Sequence, residues 1–217
     1  MDFIEILKLT GFLILSYLIG SIPSGLILTK LLSKGDILQS GSNNIGATNV
    51  ARTSGYLLGA LTLIGDMLKG ALPVWLALSL SENLPQLNFF YPSIIALAAF
   101  GGHLYPAYMR FKNGGKGVAT AAGIFMILSP MACLVAVLVF ILLLFIFRRV
   151  SAGSLAGAAI LPPAVWVFSR TAGLTACALI IAVFIFYRHK ANIKRLIAGT
   201  EPVFIKKNNY SANNAKK

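Results

Sequence analysis

The stretch VATAAGIFMILSPMACLVAVLVFILLLFIFRR, running from Val118 to Arg149, decides how this chain folds. Thirty residues pass without a charge before Arg148 and Arg149 arrive together. A helix needs about 18 apolar residues to cross the hydrocarbon of a bilayer, so this run belongs in a membrane. Ser129-Pro130 interrupts it, and proline disfavours the helical region for the residue before it. The expected result is two segments, 118–129 and 131–147, joined by a tight turn. The first is short unless it starts within the headgroup region. A rival count of five helices treats 118–147 as one kinked helix and places Arg148 and Arg149 on the opposite side.

Similar apolar runs flank this stretch at 6–32, 56–80, 91–109, 154–169 and 171–187. The reading is an all-α integral membrane protein with seven transmembrane helices. Composition agrees: 57% of the 217 residues are hydrophobic and 12% are charged, against about a quarter charged in soluble domains. Residues 1–205 then form a single transmembrane domain, leaving no room for a soluble one. The Asn-, Ala- and Lys-rich segment 206–217 reads as a disordered basic tail. Asp2 and Glu5 beside Lys8 do not make the positive start of a secretory signal, so Ile6–Leu32 is expected to be retained.

The formal net charge of +13 raises the question of nucleic acid. The basic residues punctuate the apolar runs instead of forming one stripe, which is how cytoplasmic helix ends look. No nucleic-acid role is expected. With the N-terminus outside and the C-terminus cytoplasmic, 16 of the 19 Lys and Arg residues fall inside the cell. These include Lys30, Lys34, Arg52, Arg110, Lys112, Lys116, Arg148, Arg149, Arg188, Lys190, Lys194 and Arg195. Lys8 and Arg170 lie outside, and Lys69 lies in or near a helix.

Cys133 and Cys177 sit in apolar stretches and read as small hydrophobic residues. Two histidines and six acidic residues do not build a dedicated metal cage, so no resident metal or cofactor is expected, although a Mg²⁺ shared with a substrate phosphate stays open.

The polar clusters all gather on the predicted cytoplasmic face. Gly41-Ser42-Asn43-Asn44-Ile45-Gly46-Ala47-Thr48-Asn49, followed by Arg52, supplies hydroxyl, amide and guanidinium donors without a carboxylate. That mixture suits a phosphoester or a developing oxyanion, although Ser42 and Asn49 also suit turns and caps. Gly114-Gly115-Lys116-Gly117 precedes a helix, with Thr120 in its first turn. Glycines let main-chain N–H groups approach an anion, and the helix N-terminus favours negative charge. A Walker spacing is absent, so nucleotide hydrolysis is not indicated.

The third cluster is Arg188-His189-Lys190-Ala191-Asn192-Ile193-Lys194-Arg195. His189 could serve as a base, but a lone histidine between two cations is more often interfacial and resists protonation. His103 reads as a buried residue making a structural hydrogen bond near the end of the third helix. Asp66 and Lys69, three residues apart inside the second, read as a self-neutralising intramembrane pair. Gly20-Ser21-Ile22-Pro23-Ser24-Gly25 reads as a kink or a close helix contact.

Together these segments resemble the bacterial acyl-phosphate:glycerol-3-phosphate acyltransferase family. The resemblance runs on 41–50, 114–120 and 189–196, with Asp66–Gly70 and Gly102–Pro106 in support. It implies a seven-helix enzyme of the bacterial inner membrane, with its active site facing the cytoplasm. It also implies transfer of a fatty acyl group from acyl phosphate to glycerol 3-phosphate. The products would be 1-acylglycerol 3-phosphate (lysophosphatidic acid) and phosphate, the first step of phospholipid synthesis. The substrates and membrane lipid are the implied partners.

Carried onto this sequence, the resemblance gives Ser42, Arg52, Lys116, His189 and Asn192 as catalytic residues. Asn44, Asn49, Gly114, Gly115, Gly117, Thr120 and Ser154 would bind substrate, and Glu201 looks structural. Asn43 replaces a commoner Gly, Lys190 a commoner Arg, and Asn113 adds a residue before Gly114.

Acyl phosphate is already activated, so the glycerol hydroxyl can attack it directly without an enzyme nucleophile. Two phosphate dianions about 5 Å apart repel by on the order of 10 kcal/mol at an effective dielectric of 20, so cations are the pressing need. The proton goes either to His189 or to the donor's own phosphate. A small-molecule transporter is the alternative, but it would want mid-membrane polar sites and internal repeats.

Overall fold

The computed structural model describes residues 3–33, 36–81 and 90–204. Lys34 and the tail expected to be disordered lie outside them. Ten α-helices follow one another among the described residues, with no strand. They are α1 (Phe3–Gly20), α2 (Ser24–Leu32), α3 (Ala47–Ser54), α4 (Tyr56–Ser81), α5 (Phe90–Leu104), α6 (Val118–Leu128), α7 (Pro130–Phe147), α8 (Val150–Ser169), α9 (Ala172–Arg188) and α10 (Lys190–Ile197). A single 3-10 turn, Ala107–Met109, follows α5.

Four helices, α1, α4, α7 and α8, are long and apolar enough to cross a bilayer. A fifth candidate is α9 taken with α10, across a bend of 61°. Their outward surfaces are apolar: Leu7, Leu57, Trp75, Leu138, Phe145 and Val183 are all exposed. In water such a surface would be untenable; against lipid tails it is the expected one. The chain is a multi-pass membrane protein.

Each of the seven expected segments contains a helix, with three corrections. The first is not one helix over 6–32, because it breaks into α1 and α2 at Ser21-Ile22-Pro23. Proline lacks an N–H and clashes with the preceding turn, which ends α1. The third stops at Leu104 instead of 109, the chain turning at Pro106. The sixth starts at Val150, four residues early, so Ser154 lies inside α8. Pro162 and Pro163 lie inside α8 without ending it.

The Ser129-Pro130 junction behaves as the sequence predicts. Pro130 takes the first position of α7, where a missing N–H costs nothing. Residues at the start of α6 and at the start of α8 line the same cavity, so α6 and α7 double back on each other. The stretch 118–147 is therefore two helices and not one continuous one.

The core lies where α5, α6, α8 and α9 meet, around Ile95, Phe100, Ile124, Phe125, Leu174 and Ile181. Glycines permit the closest crossings: a Cβ on Gly102 would meet the Tyr17 carbonyl, and one on Gly20 the Ala99 carbonyl. The small residues around position 20 therefore serve helix packing.

Candidate active site

A cavity of about 960 Å³ opens at the end of the bundle where α3, α6, α8 and α10 begin. Ser42, Asn44, Asn49 and Arg52 reach it from the first loop and α3. Lys116 and Gly117 reach it from the second loop, and His189 and Asn192 from the α9–α10 junction. Ser154 lines it from α8. Three clusters, each more than sixty residues from the next along the chain, therefore share one wall.

The first loop is folded by its own side chains. Asn49 is buried, and its Nδ2 donates to the carbonyls of Ile37, Ser40 and Asn44 at 3.2, 3.1 and 2.9 Å. Its Oδ1 accepts the Ser42 N–H at 2.8 Å. Asn44 closes a turn by accepting the Gly46 N–H at 2.9 Å. With its donors and acceptor so engaged, Asn49 shapes the loop and leaves Ser42 and Arg52, both exposed, to face the cavity. Asn43 takes a φ of 51°, a left-handed conformation that asparagine tolerates better than other side chains.

The second loop is arranged differently from the expectation that Gly114–Gly117 cradle an anion with their main chain. Gly114 and Gly115 do not line the cavity; only Lys116 and Gly117 of the run do. The Gly115 N–H donates to the His103 carbonyl at 3.1 Å. The Gly115 carbonyl accepts Arg188 Nε at 3.0 Å, and the Gly114 carbonyl accepts Arg188 Nη2. A Cβ on Gly114 would strike the Leu104 carbonyl and one on Gly115 the His103 ring. These glycines bring the loop onto α5, outside the cavity lining. Thr120 is likewise off the cavity, buried where α6 crosses Gly70 of α4.

The third cluster is anchored by Glu201. Its Oε1 accepts Asn192 Nδ2 at 2.6 Å and its Oε2 accepts Arg195 Nε at 2.7 Å. Burial alone would raise the Glu201 pKa, but the hydrogen bonds from Asn192 and Arg195 reverse this and hold it below the usual range. His189 is buried and not interfacial, with Nδ1 2.8 Å from the Ile185 carbonyl. A carbonyl can only accept, so Nδ1 carries the proton and Nε2 is left as an acceptor. Burial and the nearby Lys116 pull the His189 pKa down to about 4. Lys116 is itself pulled down to about 8, by burial and by Arg195, Arg52 and Arg188, against the opposing pull of Glu201.

The cavity is thus cationic at its polar end. Arg52, Lys116, Arg188 and Arg195 line it against Asp66 and Glu201. Asp66 is already paired to Lys69 at 2.7 Å, as expected, and Glu201 to Arg195. His103 is buried as expected, but its Nδ1 makes no hydrogen bond among the described residues and stands 3.7 Å from Asp66 Oδ1. Arg188 is the functional candidate that sequence reasoning passed over: nothing in its position announces two carbonyl partners 73 and 74 residues away.

Below the charges the cavity turns apolar. Phe125 of α6, Val137 and Phe140 of α7, and Ala158 and Leu161 of α8 line it. From Ser154 to Leu161 it descends about 10 Å along α8, at 1.5 Å per residue. Leu63, Val137 and Ile141 line it while remaining 44%, 37% and 41% exposed. The groove is therefore open towards the lipid side.

Comparison with known proteins places this arrangement. Residues 10–199 match a family model described as glycerol-3-phosphate acyltransferase. A glycerol-3-phosphate acyltransferase of Syntrophotalea carbinolica is 50% identical over 88% of this chain and 95% of its own length. One from Bordetella pertussis is 42% identical over 91% and 92%. The crystal structure of PlsY, an integral membrane glycerol 3-phosphate acyltransferase, in its glycerol 3-phosphate form superposes with a TM-score of 0.85. Identity there is 34%, covering 91% of this chain and 96% of that one. The lysophosphatidic acid form gives 0.81, at 34% identity over 90% and 95%.

Proposed function

This chain belongs to the glycerol-3-phosphate acyltransferase family, and from that premise we propose that it moves a fatty acyl group from acyl phosphate to glycerol 3-phosphate. The products are 1-acylglycerol 3-phosphate and inorganic phosphate. The observation that carries the reading is the single cavity joining a cationic mouth to an apolar groove open to lipid. Its solved relatives are described in a glycerol 3-phosphate form and a lysophosphatidic acid form; a phosphorylated headgroup suits the mouth, and an acyl tail suits the groove. The transporter alternative finds no support in these relatives.

In this reading Arg52 and Lys116 neutralise the two phosphates, whose mutual repulsion is the main obstacle. Ser42, Asn192 and Ser154 orient the headgroups and the carbonyl. The glycerol hydroxyl oxygen attacks the acyl carbon, the carbon–oxygen bond to phosphate breaks, and phosphate departs. A histidine held near pKa 4 is a feeble base. His189 Nε2 therefore accepts a hydrogen bond from the neighbouring secondary hydroxyl and so aims the attacking one, whose own proton passes to an oxygen of the departing phosphate.

The acyl tail stays in the groove between α7 and α8. Extracting 16 carbons from lipid would cost about 12 kcal/mol at roughly 0.8 per CH₂, and the lateral opening avoids that.

Seven spans, with the N-terminus outside and the cavity mouth cytoplasmic, complete the proposal; the charge partition of the loops supports it. The direct test supplies purified protein with palmitoyl phosphate and glycerol 3-phosphate and follows phosphate release and lysophosphatidic acid. Failure of both to appear would sink the assignment. For orientation, Lys112→Cys is labelled with a membrane-impermeant maleimide, the native cysteines being buried. Labelling is expected in inverted vesicles and not in intact cells.

A further inference from the structure

Arg188 ends α9 beside His189, yet the chemistry proposed above leaves it without a task. Its guanidinium meets the carbonyls of Gly114 and Gly115 at once, through Nη2 and Nε. It also lies 5.9 Å from the centre of the Tyr105 ring. On the opposite side the Gly115 N–H is taken by the His103 carbonyl. The Gly114–Gly115 peptide is thus held from both sides and the carbonyl of the Gly115–Lys116 peptide from one, and the next residue is Lys116. The chain turns left-handed on either flank, at Asn113 (φ 56°) and Gly117 (φ 86°), so the short segment between is set by these contacts.

We infer that Arg188 is a positioning residue for acyl transfer: its two-pronged grip on Gly114 and Gly115 sets where the Lys116 ammonium stands in the cavity. The inference rests on the acyl-transfer reading for its kinetic consequence and on geometry alone for the position of the loop. Arginine is needed because its planar fork satisfies two carbonyls together, whereas a lysine offers one point charge on a flexible stem. The arrangement links the third motif to the second, making the α9–α10 junction and the Lys116 loop one unit. Lys116 lies within the electrostatic reach of Arg188, so loss of the grip also alters how Lys116 titrates.

The test compares wild-type protein with Arg188→Lys and Arg188→Gln, purified at full length. Two quantities are read: kcat and KM for both substrates, and the pH dependence of Lys116 acetylation in substrate-free protein, followed by peptide mass spectrometry. Both variants are expected to lose about ten- to a hundredfold in kcat/KM for glycerol 3-phosphate. Arg188→Gln, which removes a neighbouring cation, should also shift the Lys116 acetylation midpoint upwards, and Arg188→Lys should move it through the released loop. Methylguanidinium added to Arg188→Ala is expected to restore part of the rate. Lys190→Gln, two residues away and exposed, is expected to behave as wild type.

Should Arg188→Gln prove too unstable to purify, Arg188→Lys, which keeps the charge and most of the volume, carries the comparison. Wild-type kinetics and an unmoved acetylation midpoint in Arg188→Lys would overturn the inference. An inactive wild-type protein would instead sink the acyl-transfer reading, while the acetylation data would still report on the loop.

Discussion

Lys69 donates from Nζ to the main-chain carbonyl of Ile22, 2.8 Å away and 47 residues earlier in the chain. That carbonyl lies at the break between α1 and α2, where Pro23 removes a donor from the helical ladder. The same ammonium holds Asp66 at 2.7 Å, so one buried cation satisfies both a carboxylate and a broken helix. Lys69→Met is expected to destabilise the protein by about 3–5 kcal/mol, because it strands the Asp66 charge. Asp66→Asn combined with Lys69→Met should recover part of that loss. Thermal unfolding in detergent measures both, and equal melting of Lys69→Met and wild type would contradict the account.

The presence of the helices was legible because lipid exposure leaves long uncharged runs, as in 118–147, where Pro130 marks a break; their ends were not, since Pro162 and Pro163 continue α8. The break at Pro23 was less legible: residues 6–32 stay apolar across it, and the partner that makes the break tolerable sits in another helix. The site was legible as three motifs on one face, because polar residues stand out in an apolar chain. Which of them face the cavity was not. Asn49 and Gly115 carry the chemistry of a binding loop, yet their polar groups are occupied by neighbours that only the fold brings close. Arg188 stayed hidden for the converse reason, as one basic residue among many at a helix end.

Gly115→Ala is expected to disable the protein, because the added methyl would enter the His103 ring. The ring is buried and has nowhere to go, so an overpacking cost of about 1–3 kcal/mol applies, with Lys116 displaced as well. Gly101→Ala, on the same helix as His103, meets nothing within 4 Å and should be tolerated. Acyl transfer and melting temperature, compared for the two variants, check the contrast.

Glu201→Gln should weaken the third motif without emptying it. The amide keeps an acceptor for Asn192 but loses the charge that holds Arg195. A hydrogen bond to a charged group contributes about 1.5–3 kcal/mol, and part of this is screened because the Arg195 side chain is 39% exposed. The expected outcome is a modest fall in stability, a several-fold lower kcat and little change in KM for acyl phosphate. Steady-state kinetics with each substrate varied in turn would show it.

Ala158→Phe is expected to shorten the acyl chains the enzyme accepts. Ala158 is buried on α8 and lines the apolar half of the cavity, one turn below Ser154. A phenyl ring there blocks the path to Leu161 while leaving the cationic mouth open. Palmitoyl phosphate should lose at least tenfold in kcat/KM, with a short-chain donor such as butyryl phosphate largely spared. Equal loss for both donors would place the tail elsewhere.

The alkaline side of the pH profile should belong to Lys116. Its pKa near 8 means that the ammonium is present below that pH and lost above it. Use of glycerol 3-phosphate is then expected to fall roughly tenfold per pH unit beyond about 8. Folding stability should move the other way: the folded state releases this proton before the unfolded chain does, so stability rises from about pH 8 towards the ordinary lysine range. His189, near 4, stays neutral throughout and adds no limb between pH 5 and 8. Titration of the substrates' own phosphates, with a second pKa near 6, falls on the acid side and leaves the alkaline limb clean. Lys116→Arg keeps a charge at every accessible pH, so its profile should lose the alkaline limb even if its maximal rate is lower. An alkaline limb unchanged in Lys116→Arg would mean that another group governs it, and the role given to the Lys116 ammonium would have to be withdrawn.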